Sequence, residues 1–411
     1  MDLLSRIRDR SARVAVIGLG YVGHPLSAAA AAAGFRVTGM DTDSQRVAEL
    51  NEVSSELLQF SDDPQVLGEA EIILICVPTP LKDELPDMSY VRAAAEDIAR
   101  SLKPRTLVIL ESTTYPGTTE ELLLGILESS GLKAGVDFHL GFSPERIDPG
   151  NQSFDLINTP KIVGGIDQTS TDLMEAFYSG FIDKIVRVSS PKAAEMAKLL
   201  ENTYRHVNIA LINEIAILCH DLGIDVWEVV DAAATKPFGF QAFYPGPGWG
   251  GHCIPVDPSY LSWRVRQLGS TARFIELARE FNTKMPEYIV QRIGEALNDQ
   301  GKSLKGARVL VLGVTYKADI GDLRESPAIE IIERLAKSGV EVSFNDPFVE
   351  RLDTNGGALE GTSLENVTDA DLVLIHTAHA SYDFKDLTGR ARLIFDTRNA
   401  CQGLGGAVIK L

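Results

Sequence analysis

The clearest hydrophobic pattern in the chain occurs twice. Residues 13–18 read RVAVIG and residues 308–313 read RVLVLG, and each is an unbroken apolar run of the kind a strand shows when both faces of a parallel sheet are covered. A helical pattern follows each run, then a glycine (Gly34, Gly339), a second β-rich run, and an aspartate seven residues past that glycine (Asp41, Asp346). AEIILICV at 70–77 and ADLVLIHT at 370–377 match as third strands. Each set is a βαβαβ unit, so the pattern predicts a doubly wound α/β domain at each end of the chain. Between them, Ser190-Pro191 supplies an N-cap and a first-turn proline and Gly223 a stop, which predicts one long helix. A second helical pattern covers residues 270–298, and Gly301 to Gly306 reads as a linker. The alanine run 28–33 suits close packing of a helix on a sheet.

Composition changes this picture mainly by exclusion. The 411 residues include 39 basic and 57 acidic side chains, for a net charge of −18, and 45% are hydrophobic. That length suits two or three domains. The charge argues against nucleic acid or an anionic membrane as partner, since either is met by a cationic surface. The N-terminal segment enters its first strand without the apolar stretch of a signal peptide, and no run reaches the roughly 18 apolar residues of a membrane span. Cys76, Cys219, Cys253 and Cys401 lie far apart, with no CxxC pair and no matching His spacing for zinc. The expectation is a soluble, cytoplasmic, reduced and metal-free protein.

The first repeat carries a dinucleotide fingerprint. Gly18-x-Gly20-x-x-Gly23 follows a strand and opens the Ala-rich helix, so the glycines can make the tight turn and bring backbone N–H groups up to a pyrophosphate. Asp41 is placed to accept hydrogen bonds from a ribose hydroxyl pair and to repel a 2′-phosphate, which favours NAD over NADP. The second repeat lacks the later glycines, and its stretch between paired glycines is ten residues longer. The extra residues fall in the charged segment TYKADIGDLRESP, where Lys317 and Arg324 can hold a nucleotide by side chain; a solvated loop is the plainer alternative. The expected fold class is α/β, with two doubly wound Rossmann-like domains joined by a long central helix and a small helical middle segment. The boundaries expected are 1–190 for NAD binding, 191–300 for the central helical part and 301–411 for the second nucleotide.

Two further features bear on chemistry. In PGPGWGGHCIPVDP at 245–258, Cys253 sits in a stretch dense in glycine and proline, read as a loop, with Asp257 four residues on. Most isolated cysteines fill cores, but such a loop gives a thiol free access. His252 could activate it, although an adjacent residue on an extended chain points the other way. On the long helix, Lys198 and Asn202 share a face, with Asn213 close to it. They are either the solvated side of that helix or, because they lie among alanines and leucines, a buried functional stripe.

GLGYVG, ESTTYPGTTEE at 111–121, SPERIDPGN at 143–151, AEMAKLLENTYRHVNIALINE at 194–214, GGHCIPVDP at 250–258 and YKADIGDLRESP at 316–327 together resemble the UDP-glucose/GDP-mannose dehydrogenase family, in order and over nearly the whole chain. The SPER and FYPGPGWGGHCIPVDP wording is most similar to the UDP-N-acetylglucosamine 6-dehydrogenases. The resemblance implies oxidation of a sugar C6 alcohol to a carboxylate with two NAD+, without release of the aldehyde. It implies Cys253 as the nucleophile that makes a thiohemiacetal and then a thioester, Lys198 and Asn202 as stabilisers of the alkoxide, and Asp257, Glu145 and Thr113 in base catalysis, water positioning and hydrolysis. Gly18, Gly20, Tyr21, Val22, Gly23, Asp41, Arg46, Thr79 and Thr113 would hold NAD, with Arg324 reaching it from the C-terminal domain. Glu145, Arg146, Lys198, Asn202, Tyr244, Gly246, Gly248, Gly250, Lys317 and Arg398 would hold the UDP-sugar, so that the reacting carbon lies against the long helix between two nucleotide sites. A homodimer or higher homo-oligomer is expected.

Two departures accompany the resemblance. KPFGFQAFYPGPG has no arginine where some members carry one to the neighbouring subunit's sugar, with Phe240 or Gln241 there instead, and Ala318 stands where many have a second lysine. UDP-glucose and UDP-N-acetylmannosamine remain alternative substrates. An alcohol-only dehydrogenase on the same scaffold would not need Cys253, and a nucleotide-sugar-responsive regulator could lose it.

Overall fold

A computed structural model describes residues 2–83, 85–148, 151, 153–251 and 253–411. The chain forms two compact units, Met1–Glu201 with Ser259–Thr271 and Asn202–Pro258 with Ala272–Leu411.

The first unit is built on an eight-stranded sheet. Its strands are β1 Arg13–Ile17, β2 Arg36–Met40, β3 Leu58–Ser61, β4 Ile72–Ile75, β5 Leu107–Leu110, β6 His139–Phe142, β7 Lys161–Gly165 and β8 Ile185–Arg187. They lie in the order β8-β7-β6-β5-β4-β1-β2-β3, every neighbour parallel except the antiparallel β6 and β7. The unbroken apolar runs are explained by burial on both faces. Val14, Val16, Ile72, Leu74, Leu107 and Ile109 join one hydrophobic cluster, while Ala15, Ile17, Ile73, Ile75, Val108 and Leu110 join another.

The second unit repeats the plan with five parallel strands, β9 Arg308–Leu312, β10 Glu341–Asn345, β11 Leu372–Ile375, β12 Ile394–Asp396 and β13 Val408–Lys410, in the order β10-β9-β11-β12-β13. Val309, Val311, Leu372 and Leu374 pack on one face and Leu310, Leu312, Val373 and Ile375 on the other. The internal repeat extends to single hydrogen bonds. Gly18 N–H donates to Met40 O at 2.8 Å, as Gly313 N–H donates to Asn345 O at 2.9 Å. Asp41 accepts from Leu19 N–H and Asp346 from Val314 N–H, both at 2.7 Å. Both glycines are required by shape: a Cβ on Gly18 (φ +90°) would stand 2.6 Å from Cys76 O, and one on Gly313 (φ +73°) 2.3 Å from Thr377 O. The units diverge after the second strand. The first adds the helix Ser44–Asn51 and β3, whereas the second turns back in the hairpin Arg351–Thr354 and Gly357–Glu360.

The long helix is Pro191–Leu222, 32 residues, closed by Gly223 at φ +71°. It begins in the first unit and ends in the second. The second helical pattern is observed as Arg273–Asp299. One expectation is corrected. Cys253 is not in a loop but opens a helix, Cys253–Gln267. A first-turn proline needs no N–H partner, so Pro255 is compatible with the start of a helix where it had suggested irregular chain. Residues 235–251 before it lack helix or strand. His252 lies outside the described residues. Among the described residues no helix is long and apolar enough to cross a membrane.

Candidate active site

In each unit the candidate residues gather at the carboxyl ends of the parallel strands, where open α/β sheets bind ligands and where the strand order reverses. In the first unit Gly18 to Gly23 follow β1, Asp41 follows β2, Thr79 lies beyond β4, Thr113 beyond β5 and Glu145 beyond β6. Gly23 opens the helix Gly23–Ala32, and its missing Cβ lets it pass against Gly18 O. Gly20 differs, because a Cβ there would meet no protein atom within 4 Å. Between these glycines the Leu19 peptide is fixed from both sides, its N–H by Asp41 and its C=O by Arg46 Nε at 2.6 Å. Tyr21 is exposed and Val22 half-buried at the same turn, and Thr79 is buried with its carbonyl accepting from Tyr260 Oη at 3.0 Å. The cradle fits a dinucleotide, with backbone N–H groups for phosphate and a carboxylate at the end of β2 for ribose.

Glu145 is the most constrained carboxylate of the first unit. Its Oε1 accepts from Arg146 N–H at 2.6 Å and from Ile147 N–H, and its main-chain oxygen accepts from Lys198 Nζ at 2.5 Å. Its Oε2 is buried without a hydrogen-bond partner, 3.6 Å from Lys161 Nζ. Lys161 in turn pairs with Glu111, which also accepts from Tyr178 Oη. Burial pulls Lys161 down, but the Glu111 and Glu145 carboxylates outweigh it and hold the ammonium above its ordinary range. Burial pushes Glu111 up against that attraction. Two buried carboxylates therefore share one buried cation. Arg146 is bidentate on Glu201 at 2.7 and 3.2 Å. Thr113 is half-buried.

In the second unit the polar stripe of the long helix is buried. Asn202 Nδ2 donates to Asp257 on the first turn of the Cys253 helix. One turn on, His206 faces two backbone carbonyls, with Nδ1 at 3.0 Å from Ile254 O and Nε2 at 3.2 Å from Ile275 O. Asn213 donates to Asn282 Oδ1 at 2.8 Å and accepts from Gly246 N–H at 2.9 Å. Lys198, Asn202, His206 and Asn213 are 8%, 6%, 1% and 0% exposed, so this stripe is not the solvated side of the helix. His206 belonged to it by spacing, eight residues past Lys198, and the sequence reading passed over it. Cys253 is exposed, whereas Cys76, Cys219 and Cys401 are buried.

The residues of this unit expected to hold the second nucleotide are close-packed. Arg398, beyond β12, donates through Nε to His376 O at 2.7 Å, and its guanidinium stands 2.6 Å from where a Gly246 Cβ would be. Burial lowers it to about 10, against the pull of Asp396, so it stays charged at neutral pH. Gly250 lies so near Tyr316 that a Cβ would be 2.5 Å from it, and Gly248 takes φ +133°. Tyr244 stacks on Trp227 at 5.7 Å and donates to Asp231 at 2.9 Å. Lys317 is half-buried after β9, and Arg324 is paired with Asp322 at 2.6 Å.

Two nucleotide-type sheets in one chain, one with a dinucleotide turn and the other with an arginine and a lysine beyond its strands, define a nucleotide-dependent dehydrogenase. The chain belongs to the UDP-glucose/GDP-mannose dehydrogenase family: residues 12–182 match its NAD binding domain, 192–284 its central domain and 310–403 its UDP binding domain. It is 35% identical to the UDP-N-acetyl-D-mannosamine dehydrogenase of Pyrococcus horikoshii, over 94% of this chain and 95% of that one. It is 36% identical to the UDP-N-acetyl-D-glucosamine 6-dehydrogenase of Pseudomonas aeruginosa, over 90% of this chain and 91% of that one. A solved structure of the Pyrococcus horikoshii UDP-D-ManNAc dehydrogenase matches with TM-score 0.88 at 33% identity, covering 97% and 98% of the two chains. The chain is thus an NAD-dependent oxidoreductase acting on the CH–OH group of a UDP-sugar.

Proposed function

We propose that the protein oxidises the C6 alcohol of a UDP-2-acetamidohexose to the carboxylate in two successive oxidations, the second on a Cys253 adduct. UDP-N-acetylglucosamine is the first candidate, on the motif wording and the Pseudomonas aeruginosa relative. UDP-N-acetylmannosamine is the second reading, favoured by the Pyrococcus horikoshii relative and its structure. The observation that carries the proposal is the exposed Cys253 at the head of a helix whose first turn is tied to Asn202 through Asp257. A helix N-terminus favours negative charge, and so a thiolate.

NAD, held at the Gly18 to Gly23 turn and Asp41, is the hydride acceptor of each oxidation. The residues of the chain handle protons and charge. Asp257 or Lys198 takes the C6 hydroxyl proton, and the Lys198 ammonium and the Asn202 amide steady the alkoxide. The Cys253 thiolate then adds to the aldehyde carbon, giving a thiohemiacetal that can lose a second hydride and become a thioester. Water hydrolyses the thioester, with Thr113 positioning it and Glu145 as base. The Oε2 of Glu145, which has no hydrogen-bond partner and only the Lys161 ammonium at 3.6 Å, suits that part, since its other oxygen is committed to two backbone N–H groups. Arg146, Tyr244, Gly246, Gly248, Gly250, Lys317 and Arg398 bind the UDP-sugar, and Arg324 contributes to the cofactor.

A homodimer accompanies this reading. Met196, Leu200, Tyr204, Leu211, Leu218 and Leu222 are all exposed on the long helix, and at about 100° per residue they fall within an arc of roughly 80°. That arc lies nearly opposite the buried Lys198, Asn202, His206 and Asn213.

Purified protein assayed with UDP-N-acetylglucosamine, UDP-N-acetylmannosamine and UDP-glucose tests the substrate. One acetamido sugar is expected to exceed UDP-glucose in kcat/KM by at least about tenfold, the scale of one or two lost pocket contacts. A preference for UDP-glucose would overturn the acetamido assignment.

A further inference from the structure

We infer that His206 is a positioning residue for the Cys253 thiol, acting through the carbonyl of Ile254. The inference deepens the proposed function and rests on Cys253 being the attacking thiol. It begins with a proline. In the helix Cys253–Gln267 the carbonyl of Ile254 would ordinarily accept the N–H four residues on. That residue is Pro258, which has none. An unpaired buried carbonyl is costly, and here a side chain from another helix replaces the missing donor.

His206 is 1% exposed and stacks on Trp249 with ring centroids 4.3 Å apart and planes 25° from parallel. Its Nδ1 is 3.0 Å from Ile254 O and its Nε2 is 3.2 Å from Ile275 O. The two carbonyls are not equivalent. Ile275 lies in the first turn of Arg273–Asp299, where the Arg279 N–H is in register for its oxygen. Ile254 has only a proline in that place. A singly protonated ring therefore carries its proton on Nδ1 and gives it to Ile254. Burial, aided by the charge of Arg279, holds His206 below its ordinary range, so this form prevails at neutral pH.

The consequence is a two-rung attachment of the long helix to the segment that bears the thiol. Asn202 holds Asp257, and His206 holds the carbonyl next to Cys253. With two prolines in its first six residues, the head of that helix has fewer internal hydrogen bonds than an ordinary one to keep it in place. His206 fixes the Ile254–Pro255 peptide, one residue past the cysteine, and with it the direction from which the thiol can reach an aldehyde.

Three substitutions separate the two bonds. Asn at 206 places an amide where Nδ1 stood, Gln places one near Nε2, and Phe keeps the ring on Trp249 but donates to neither. The first readout is the rate of Cys253 carboxamidomethylation by iodoacetamide, followed by mass spectrometry in the full-length protein. The other three cysteines are buried, so labelling reports this thiol. The second is kcat and KM with UDP-N-acetylglucosamine or UDP-N-acetylmannosamine, whichever yields NADH. His206→Phe is expected to change the labelling rate and lower kcat by about tenfold, the scale of one hydrogen bond and a displaced thiol, with KM for NAD within about twofold. His206→Asn is expected to recover most of both, and His206→Gln little. Unchanged labelling and kcat in His206→Phe, or recovery by Gln and not by Asn, would overturn the inference. Failure of the underlying reading looks different: Cys253→Ser would then keep full turnover, whatever the His206 variants do to labelling.

Discussion

His376 sits fully buried beyond β11, its Nδ1 2.9 Å from Thr377 Oγ1 and its Nε2 unpartnered, while its carbonyl holds the Arg398 guanidinium. Burial, with Arg398 nearby, lowers this histidine from 6.5 to about 3. An unfolded chain therefore takes up a proton below about pH 6.5 that the folded one refuses. Stability is expected to fall as pH drops from about 6.5 towards 3, by up to about 1.4 kcal/mol per unit. Urea unfolding at pH 7.5 and pH 5.0 measures it, and His376→Gln should flatten the dependence; equal slopes would contradict it. This histidine stood in the apolar run 370–377 without a signal of its own. The same holds for Glu111, Lys161 and Tyr178, dispersed over more than sixty residues, whose charge sharing appears only once β5, β7 and the helix Gln168–Tyr178 are packed. The candidate site residues offered by the sequence had local context: Asp41 at the end of a β-rich run, Cys253 among glycines, Lys198 and Asn202 one turn apart.

At the scale of elements, the turn after β1 separates a glycine required by packing from one with open space beside it. Gly18 is needed for its φ and its contact with Cys76 O, whereas Gly20 faces open space. Gly18→Ala is expected to lower the unfolding midpoint by several degrees, in line with about 1–3 kcal/mol of strain. Gly20→Ala should leave the midpoint alone and raise the KM for NAD by at least about tenfold, because its Cβ occupies the space left for the cofactor. Thermal melts and NAD titrations of both variants check this; matching losses in both would remove the distinction. Strands and the long helix were legible because burial on both faces leaves no polar position in a run and because a serine, a proline and a glycine mark the helix ends. The start of the Cys253 helix was not, since proline and glycine argue for loop unless a first turn is considered.

For the whole molecule, the long helix carries two opposed stripes, one polar and buried, one apolar and exposed. The exposed one is expected to be covered by a second copy. Leu200→Asp with Leu211→Asp should convert a dimer to a monomer in light scattering after size exclusion, and an unchanged mass would reject that interface. The tandem repeat was readable from two short apolar runs because a parallel sheet imposes the same constraint on each copy. What the repeat could not supply is the sugar, which is read by contacts to hydroxyl and acetamido groups that no periodicity encodes. The net charge of −18 does not bar anionic nucleotides, since the proposal needs only a few placed cations, Lys198 in the first unit and Lys317 and Arg398 in the second. The central claim is that one sugar is oxidised twice without release of the aldehyde, the second time as its Cys253 adduct. The most direct measurement is the amount of NADH formed per UDP-sugar consumed, with wild-type protein and with Cys253→Ser. Two NADH per sugar from the wild type and a loss of turnover of at least about a thousandfold in the variant are expected; one NADH per sugar, or an active Cys253→Ser that still yields the carboxylate, would contradict it.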